Sequence, residues 1–290
     1  MNSTTLNRPN SQSQQEIEQE RQKATNEAQS SLDQDAIAAI DETRKAITAI
    51  EQGKTQDALQ ALERATGKLD ILLARYPDLA LVPLSIQVTV IDLAPLDFDA
   101  VAEIRAAAKV AVDVDDFPTG RALLHNLTSE IRTSAVNLPL ETYPDAMKEA
   151  ARLLHQGQPD EARTELKLAL STLVVREQSR PIPLIFALAN LAAATAIAEQ
   201  DQDNTLKLLK EARTQLKLAK ELGYASGDPE YKELERAIKD IERQVRAKER
   251  TEGPFAKLRE KFSSFFNRVS RVNRPSHESQ QTQSQQTANA

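Results

Sequence analysis

The chain has 290 residues, no cysteine, no tryptophan and a net charge of −6 at pH 7. The lack of cysteine excludes disulfides, thiolate zinc sites and cysteine nucleophiles. Aromatic residues make up only 4% and there are seven glycines, which predicts a core of Leu, Ile, Val and Ala and leaves no Gly-rich phosphate loop.

Both ends of the chain are rich in Asn, Gln, Ser and Thr. These four residue types supply 18 of residues 1–31 and 11 of residues 275–290. Segments of this composition bury too little apolar area to offset the entropy lost on ordering. We predict a low-complexity tail at 1–31, with a first helix starting inside it at about Gln14, and a disordered polar tail at 275–290.

Apolar residues recur at the helical period through most of residues 32–250, which we expect to form one helical domain. One of the predicted helices covers 117–132. Three stretches break the period. Residues 85–92 alternate apolar and polar side chains, as a strand does, and residues 132–138 and 173–179 are weaker strand candidates.

Four similar segments each indicate a tight turn that starts a helix, and their starts are 62, 42 and 44 residues apart. Tetratricopeptide repeats need about 34 residues, so that class is excluded. The predicted fold is mainly α: a multi-helix bundle of irregular helical-hairpin repeats with short extended crossings that form a small β element. The four segments are GKTQDALQAL (53–62), DDFPTGRALL (115–124), GQPDEARTEL (157–166) and DQDNTLKLLK (201–210).

Several longer segments between Pro77 and Gly223 together resemble the YfdX family of bacterial proteins. The segments are LVPLSIQVTVIDL (81–93), DDFPTGRALL (115–124), SEIRTSAVNLPLETYPDAMKEAARLL (129–154), GQPDEARTELKLALSTLVV (157–175), IPLI (182–185) and QLKLAKELGY (215–224).

The resemblance implies a mainly helical fold, an association with stress responses, and a role in small-molecule binding or chaperone-like protection. It brings no catalytic residues. We therefore expect a non-enzymatic binding protein that forms a homo-oligomer and takes small molecules or unfolded proteins as partners. We expect no cofactor and no nucleic-acid partner.

The compartment depends on the N-terminus, which lacks the basic and apolar regions of a secretory signal. A cytoplasmic location is the direct expectation. Members of the family commonly begin with an export signal, so a misassigned start site would instead make the protein periplasmic.

Histidine and aspartate offer little metal chemistry. The three histidines, His125, His155 and His277, do not pair at the spacing of a zinc-binding helix. The acidic run at 113–116 lies beside Phe117 at a predicted turn, where Asp serves as a helix N-cap. No metal site is predicted.

Two tyrosines are candidates for a pocket, because the chain has only four. Tyr143 precedes a proline in the LPLETYP segment, and Tyr224 follows Gly223. The alternative for each is a packed ring whose hydroxyl is satisfied at the surface.

A basic amphipathic helix is predicted at 251–274. Residues 243–274 hold ten Lys or Arg and three Glu, a local charge of +7. Such a helix can lie on an anionic membrane, making the chain a peripheral membrane or scaffold protein. It can equally dock onto its own acidic bundle or that of a neighbouring subunit. Its candidate face is Phe255, Leu258, Phe262, Phe265, Phe266 and Val269.

Overall fold

The computed structural model describes residues 11–224 and 227–270. This part of the chain is mainly helical, as predicted, and contains one small antiparallel sheet. The elements, in order, are α1 (Ser11–Gln29), α2 (Gln34–Glu51), α3 (Thr55–Arg75), β1 (Leu81–Asp92), α4 (Phe98–Asp113), α5 (Phe117–His125), β2 (Ser129–Pro139), α6 (Tyr143–His155), α7 (Pro159–Ser171), β3 (Val174–Pro181), α8 (Ile182–Ile197), α9 (Gln202–Glu221), α10 (Glu230–Arg246) and α11 (Glu252–Ser270).

The predicted hairpin repeat is confirmed. Each of the four similar segments joins two antiparallel neighbours in sequence, giving the hairpins α2–α3, α4–α5, α6–α7 and α8–α9. A strand follows each of the first three hairpins, and the strands pair in the order β1-β2-β3. Proline at position 83 is tolerated because β1 is an edge strand, where a missing N–H breaks no ladder.

One predicted helix is too long. The helix expected over 117–132 ends at His125, and Ile131 belongs to β2. Leu127 and Ile131 are four residues apart, and that spacing fits both the helical period and the two-residue period of a strand. The helix predicted from about Gln14 begins at Ser11. The predicted tail at 275–290 lies outside the described residues.

The chain divides into two compact units, and the division falls within each of the three strands. The first unit comprises Met1–Ala24, Val88–Arg132 and Gln178–Val272; the second comprises Thr25–Gln87, Thr133–Glu177 and Asn273–Ala290, so far as these are described. The second unit is a closed ring of four helices in which α2 packs on α3, α3 on α6, α6 on α7 and α7 on α2. Its core consists of Ala, Leu and Ile with Val82, Tyr143 and Met147.

The first unit has the same plan with different helices. There α8 packs on α9, α9 on α10, α10 on α11 and α11 on α8, and the α4–α5 hairpin contacts α9. Its core contains the only buried phenylalanines among the described residues, all of them from α11. Ala24 of α1 is buried in the same core, and Ile17 of α1 packs against it.

Three of the hairpin turns are closed in the same way. In each, a residue in the left-handed region ends the first helix, and the next N–H donates to a carbonyl five residues back. The left-handed residue is Gly53 (φ 69°), Asp115 (φ 59°) or Gly157 (φ 74°). A side chain with a Cβ is strained in this conformation, so Asp115 stands where the repeat favours glycine.

We expect Asp115→Gly to raise the free energy of unfolding by up to about 1 kcal/mol, because relief of left-handed strain outweighs the added entropy of the unfolded chain. The reciprocal change, Gly157→Asp, is expected to lower it by about 1 kcal/mol. Urea denaturation followed by circular dichroism measures both. A stabilising Gly157→Asp would show that the turn conformation does not set the preference.

Candidate functional site

The apolar face predicted on the C-terminal helix lies in the core of the first unit. Phe262 and Phe265 are fully buried, and their rings meet edge to face with centroids 6.1 Å apart. Phe255, Leu258, Phe266 and Val269 are each 9% exposed or less. The face therefore packs against the neighbouring helices of its own ring.

The basic side of α11 pairs with acidic residues in the first turn of α10 and just before it. The Arg268 guanidinium donates to Asp228 at 3.0 Å and pairs with Glu230 at 2.9 Å, while Lys261 Nζ lies 3.3 Å from Glu233. Through its buried face and these ion pairs, α11 docks onto the neighbouring helices of its own unit. No helix within the described ranges is long and apolar enough to cross a membrane. Membrane attachment stays a prediction, and it would require α11 to leave this packing.

Tyr143 lies in the core of the second unit. Its side chain is buried, and its hydroxyl makes no hydrogen bond of ordinary geometry within the described part of the chain. Thr43, which acts on this hydroxyl, donates its own proton to the Ala39 carbonyl oxygen at 2.9 Å. Burial raises the pKa of Tyr143 to about 12, and Thr43 opposes the shift.

Tyr224 is partly buried in the first unit, and its hydroxyl accepts a hydrogen bond from the Ser129 N–H at 2.9 Å. Ser129 is the first residue of β2, and its hydroxyl donates to the Asp92 carboxylate at 2.8 Å. The residues around Tyr224 thus fix the start of the central strand. Neither tyrosine lines the cleft described below.

Among the residues considered for metal binding, two histidines are exposed and Asp116 caps a helix. His125 and His155 are exposed, and His277 lies outside the described residues. The Asp116 carboxylate accepts a hydrogen bond from the Thr119 N–H at 3.2 Å and caps α5. Over residues 11–224 and 227–270, no group of three or more acidic or histidine side chains is arranged to hold a metal ion.

A cleft of about 430 Å³ opens in the first unit, between α1, α8 and α11. Each helix contributes one stripe at the helical spacing. The α8 stripe forms the apolar wall, the α1 stripe is polar and charged, and α11 adds one phenyl ring and two polar side chains. The lining residues are Glu16, Gln19, Glu20 and Lys23 from α1; Ile185, Leu188, Ala189 and Ala192 from α8; and Ser263, Phe266 and Asn267 from α11.

The two carboxylates of the cleft have different surroundings. Glu20 pairs with Arg180 at 2.8 Å, and both side chains are less than 20% exposed. Glu16 forms no ion pair with any described residue, and burial raises the pKa of its carboxyl above the usual value. Lys23 is 63% exposed on its side chain and approaches Glu20 only to 4.0 Å. The cleft therefore combines an apolar wall with one carboxylate, that of Glu16, which no cation among the described residues compensates.

The cleft was not predicted from the sequence. Residues 16–23 lie in a Gln- and Glu-rich segment that composition assigns to a tail, although positions 16, 19, 20 and 23 share one helix face. The same spacing recurs on α8 at 185, 188, 189 and 192. The helical spacing of these positions was thus the signal that could have indicated the cleft. Polar residues on one helix face, however, usually indicate contact with solvent.

The fold and the cleft define a class: a helical protein built from hairpins that short strands connect, with a small-molecule-sized cleft beside one four-helix ring. The family model described as YfdX protein matches residues 39–179. The predicted resemblance to the YfdX family is confirmed over residues 39–179. The matched region begins before Pro77 and ends before the IPLI and QLKLAKELGY segments, and every lining residue of the cleft lies outside it.

Among solved structures, the chain is similar to YfdX from Salmonella Typhi, at 18% identity and a TM-score of 0.36. The alignment covers 51% of this chain and 91% of that one. This likeness is too weak to support a structural argument. No curated protein matches the chain.

The buried face of α11 gives a direct prediction. Phe262→Ala should lower the free energy of unfolding by about 3–5 kcal/mol, because it leaves a cavity in the core. Phe117→Ala, which removes a ring that is 53% exposed, is the matched control and should change it by about 0.5 kcal/mol or less. Thermal and urea denaturation measure both. Equal stabilities would show that the face does not pack.

The stability of the protein should respond differently to loss of the hydroxyl at the two tyrosines. Tyr143→Phe is expected to leave the melting temperature at pH 7 unchanged or slightly higher, since no ordinary hydrogen bond is lost. Tyr224→Phe should cost about 1–2 kcal/mol, because the Ser129 N–H loses its acceptor. Circular dichroism melts check both changes.

The pKa of Tyr143 adds a pH dependence. Its folded value of about 12 lies above the ordinary 10, so folding favours the neutral phenol. That stability is fully present below pH 10 and is lost as the pH rises towards 12. Wild type should therefore lose more stability than Tyr143→Phe between pH 10 and 12, by about 2–3 kcal/mol at most. Parallel losses would contradict the burial of the phenol.

Proposed function

We propose that this chain acts by binding, without catalysis, and that the cleft of the first unit takes a small molecule with an apolar part. The observation that carries the proposal is the cleft of about 430 Å³ with its apolar stripe on α8. Ligand sites of about 300–1,000 Å³ are typically lined by apolar side chains with a few polar groups that fix the orientation of the ligand.

The walls of the cleft are held in place before any ligand binds. Leu191 and Ala194, on the opposite side of α8, are fully buried in the core of the ring, so packing fixes the apolar stripe. On α1, Ala24 is buried and Glu20 forms its ion pair with Arg180. A preorganised site loses less conformational entropy on binding, which favours affinity.

The family resemblance adds the biological setting of the proposal. It supports a stress-associated role in which the chain binds small molecules or unfolded proteins and forms a homo-oligomer. The match at residues 39–179 supports membership of the family for that region. The stress role, the protein partners and the oligomer stay predictions.

The cleft can be tested with a filling variant. Ala192 is exposed and lines the cleft, and Ala196 is exposed one turn further along α8 outside the lining. Because the chain has no tryptophan, each of Ala192→Trp and Ala196→Trp carries a single indole. We expect wild type and Ala196→Trp to bind 1-octanol, and Ala192→Trp to bind it at least about tenfold more weakly, since the ring occupies the site.

Isothermal titration calorimetry and proton–nitrogen chemical-shift mapping follow the binding, and circular dichroism shows that both variants fold. Equal affinity of all three proteins for 1-octanol would place the bound alcohol elsewhere. Absence of binding to wild type would also contradict the proposed cleft.

A further inference from the structure

The Glu16 carboxylate is the unusual group of the cleft. It is partly buried, and among the described residues it has no cationic partner. Burial without a counter-charge weakens the solvation of a carboxylate. A cation brought into the cleft would therefore gain attraction to Glu16 and lower the cost of its burial.

Of the charged side chains that line the cleft, only Glu16 is available to pair with a cationic ligand. Glu20 is already compensated by Arg180, in a pair that is largely buried. Lys23, the one cation of the lining, is mostly exposed and approaches Glu20. An anionic ligand would meet repulsion from Glu16 and find only this solvated ammonium to bind.

The neutral polar side chains suit the same ligand. Gln19, Ser263 and Asn267 line the cleft and carry oxygens that can accept hydrogen bonds. A primary ammonium has three N–H donors, so it can use one on a carboxylate and others on such oxygens or on water. On the far side, Ile185, Leu188 and Phe266 offer an apolar surface.

We propose that the cleft selects amphiphilic amines: the protonated amine pairs with Glu16, and the apolar tail lies along the α8 stripe. The inference rests on the proposed function, because it names the class of ligand for the same cleft. From Ile185 to Ala192 the stripe spans about 10 Å, at about 1.5 Å per residue. An alkyl chain of about eight carbons covers that distance.

The test uses three probes that share an eight-carbon tail and differ in head-group charge: octylammonium, 1-octanol and octanoate. At pH 7 and low salt, wild type should bind octylammonium on the order of fivefold more tightly than 1-octanol, since the ion pair is only partly shielded from water. Octanoate should bind most weakly of the three. Titration calorimetry gives the three affinities directly.

Two matched variants test whether the Glu16 carboxylate produces the preference for octylammonium. Glu16→Gln keeps the shape of the side chain and removes its charge, and we expect its preference for octylammonium over 1-octanol to disappear while 1-octanol still binds. Glu18→Gln makes the same change on an exposed residue of α1 outside the lining and should keep the preference. Circular dichroism melts confirm that both variants are folded.

The outcomes separate the two proposals. If wild type binds all three probes equally, or prefers octanoate, the inference is overturned and the cleft remains a binding site. A preference that survives Glu16→Gln overturns it as well. If wild type binds none of the probes, or if Ala192→Trp binds every one as wild type does, the proposed function itself fails and the inference fails with it.

Discussion

The packing of α11 onto α8 and α10 is the contact on which the first unit depends. Phe255, Phe262 and Phe265 bury whole rings there, in a chain with very few aromatic residues. Burying each ring stabilises the fold by about 1.5–3 kcal/mol. The ion pairs of Arg268 contribute less, because its side chain is 46% exposed, but they fix the register of the two helices.

The cleft follows from that packing. When α11 closes the ring, it presents Ser263, Phe266 and Asn267 next to the apolar stripe of α8, and the third wall comes from α1. The three stripes come from distant parts of the chain, and only one of them is apolar. Charged residues such as those of α1 are ordinary in a sequence. In the structure they lie beside an apolar wall, where a carboxylate has less water around it.

The sequence predicted the hairpins and strands because each is encoded locally. Gly53 and Gly157 mark left-handed turns, and the residues at 85–92 alternate visibly. The end of α5 was missed because Leu127 and Ile131 fit two periods at once. The cleft was missed for a different reason: it depends on which helix faces which, and the composition of residues 1–31 does not reveal that α1 packs against the core of a ring.

The order of the helices along the chain determines when each unit can fold during synthesis. Because the division between the units falls within each strand, neither unit is a continuous stretch of sequence, and contacts far apart in sequence must form before either ring closes. The second unit has all four helices of its ring once α7 has been synthesised. The first must wait for α11, the last of the described helices. During synthesis, an apolar groove on α8 and α10 therefore stays open until α11 emerges and fills it with its phenylalanines. A chaperone that shields apolar surface would act in that interval.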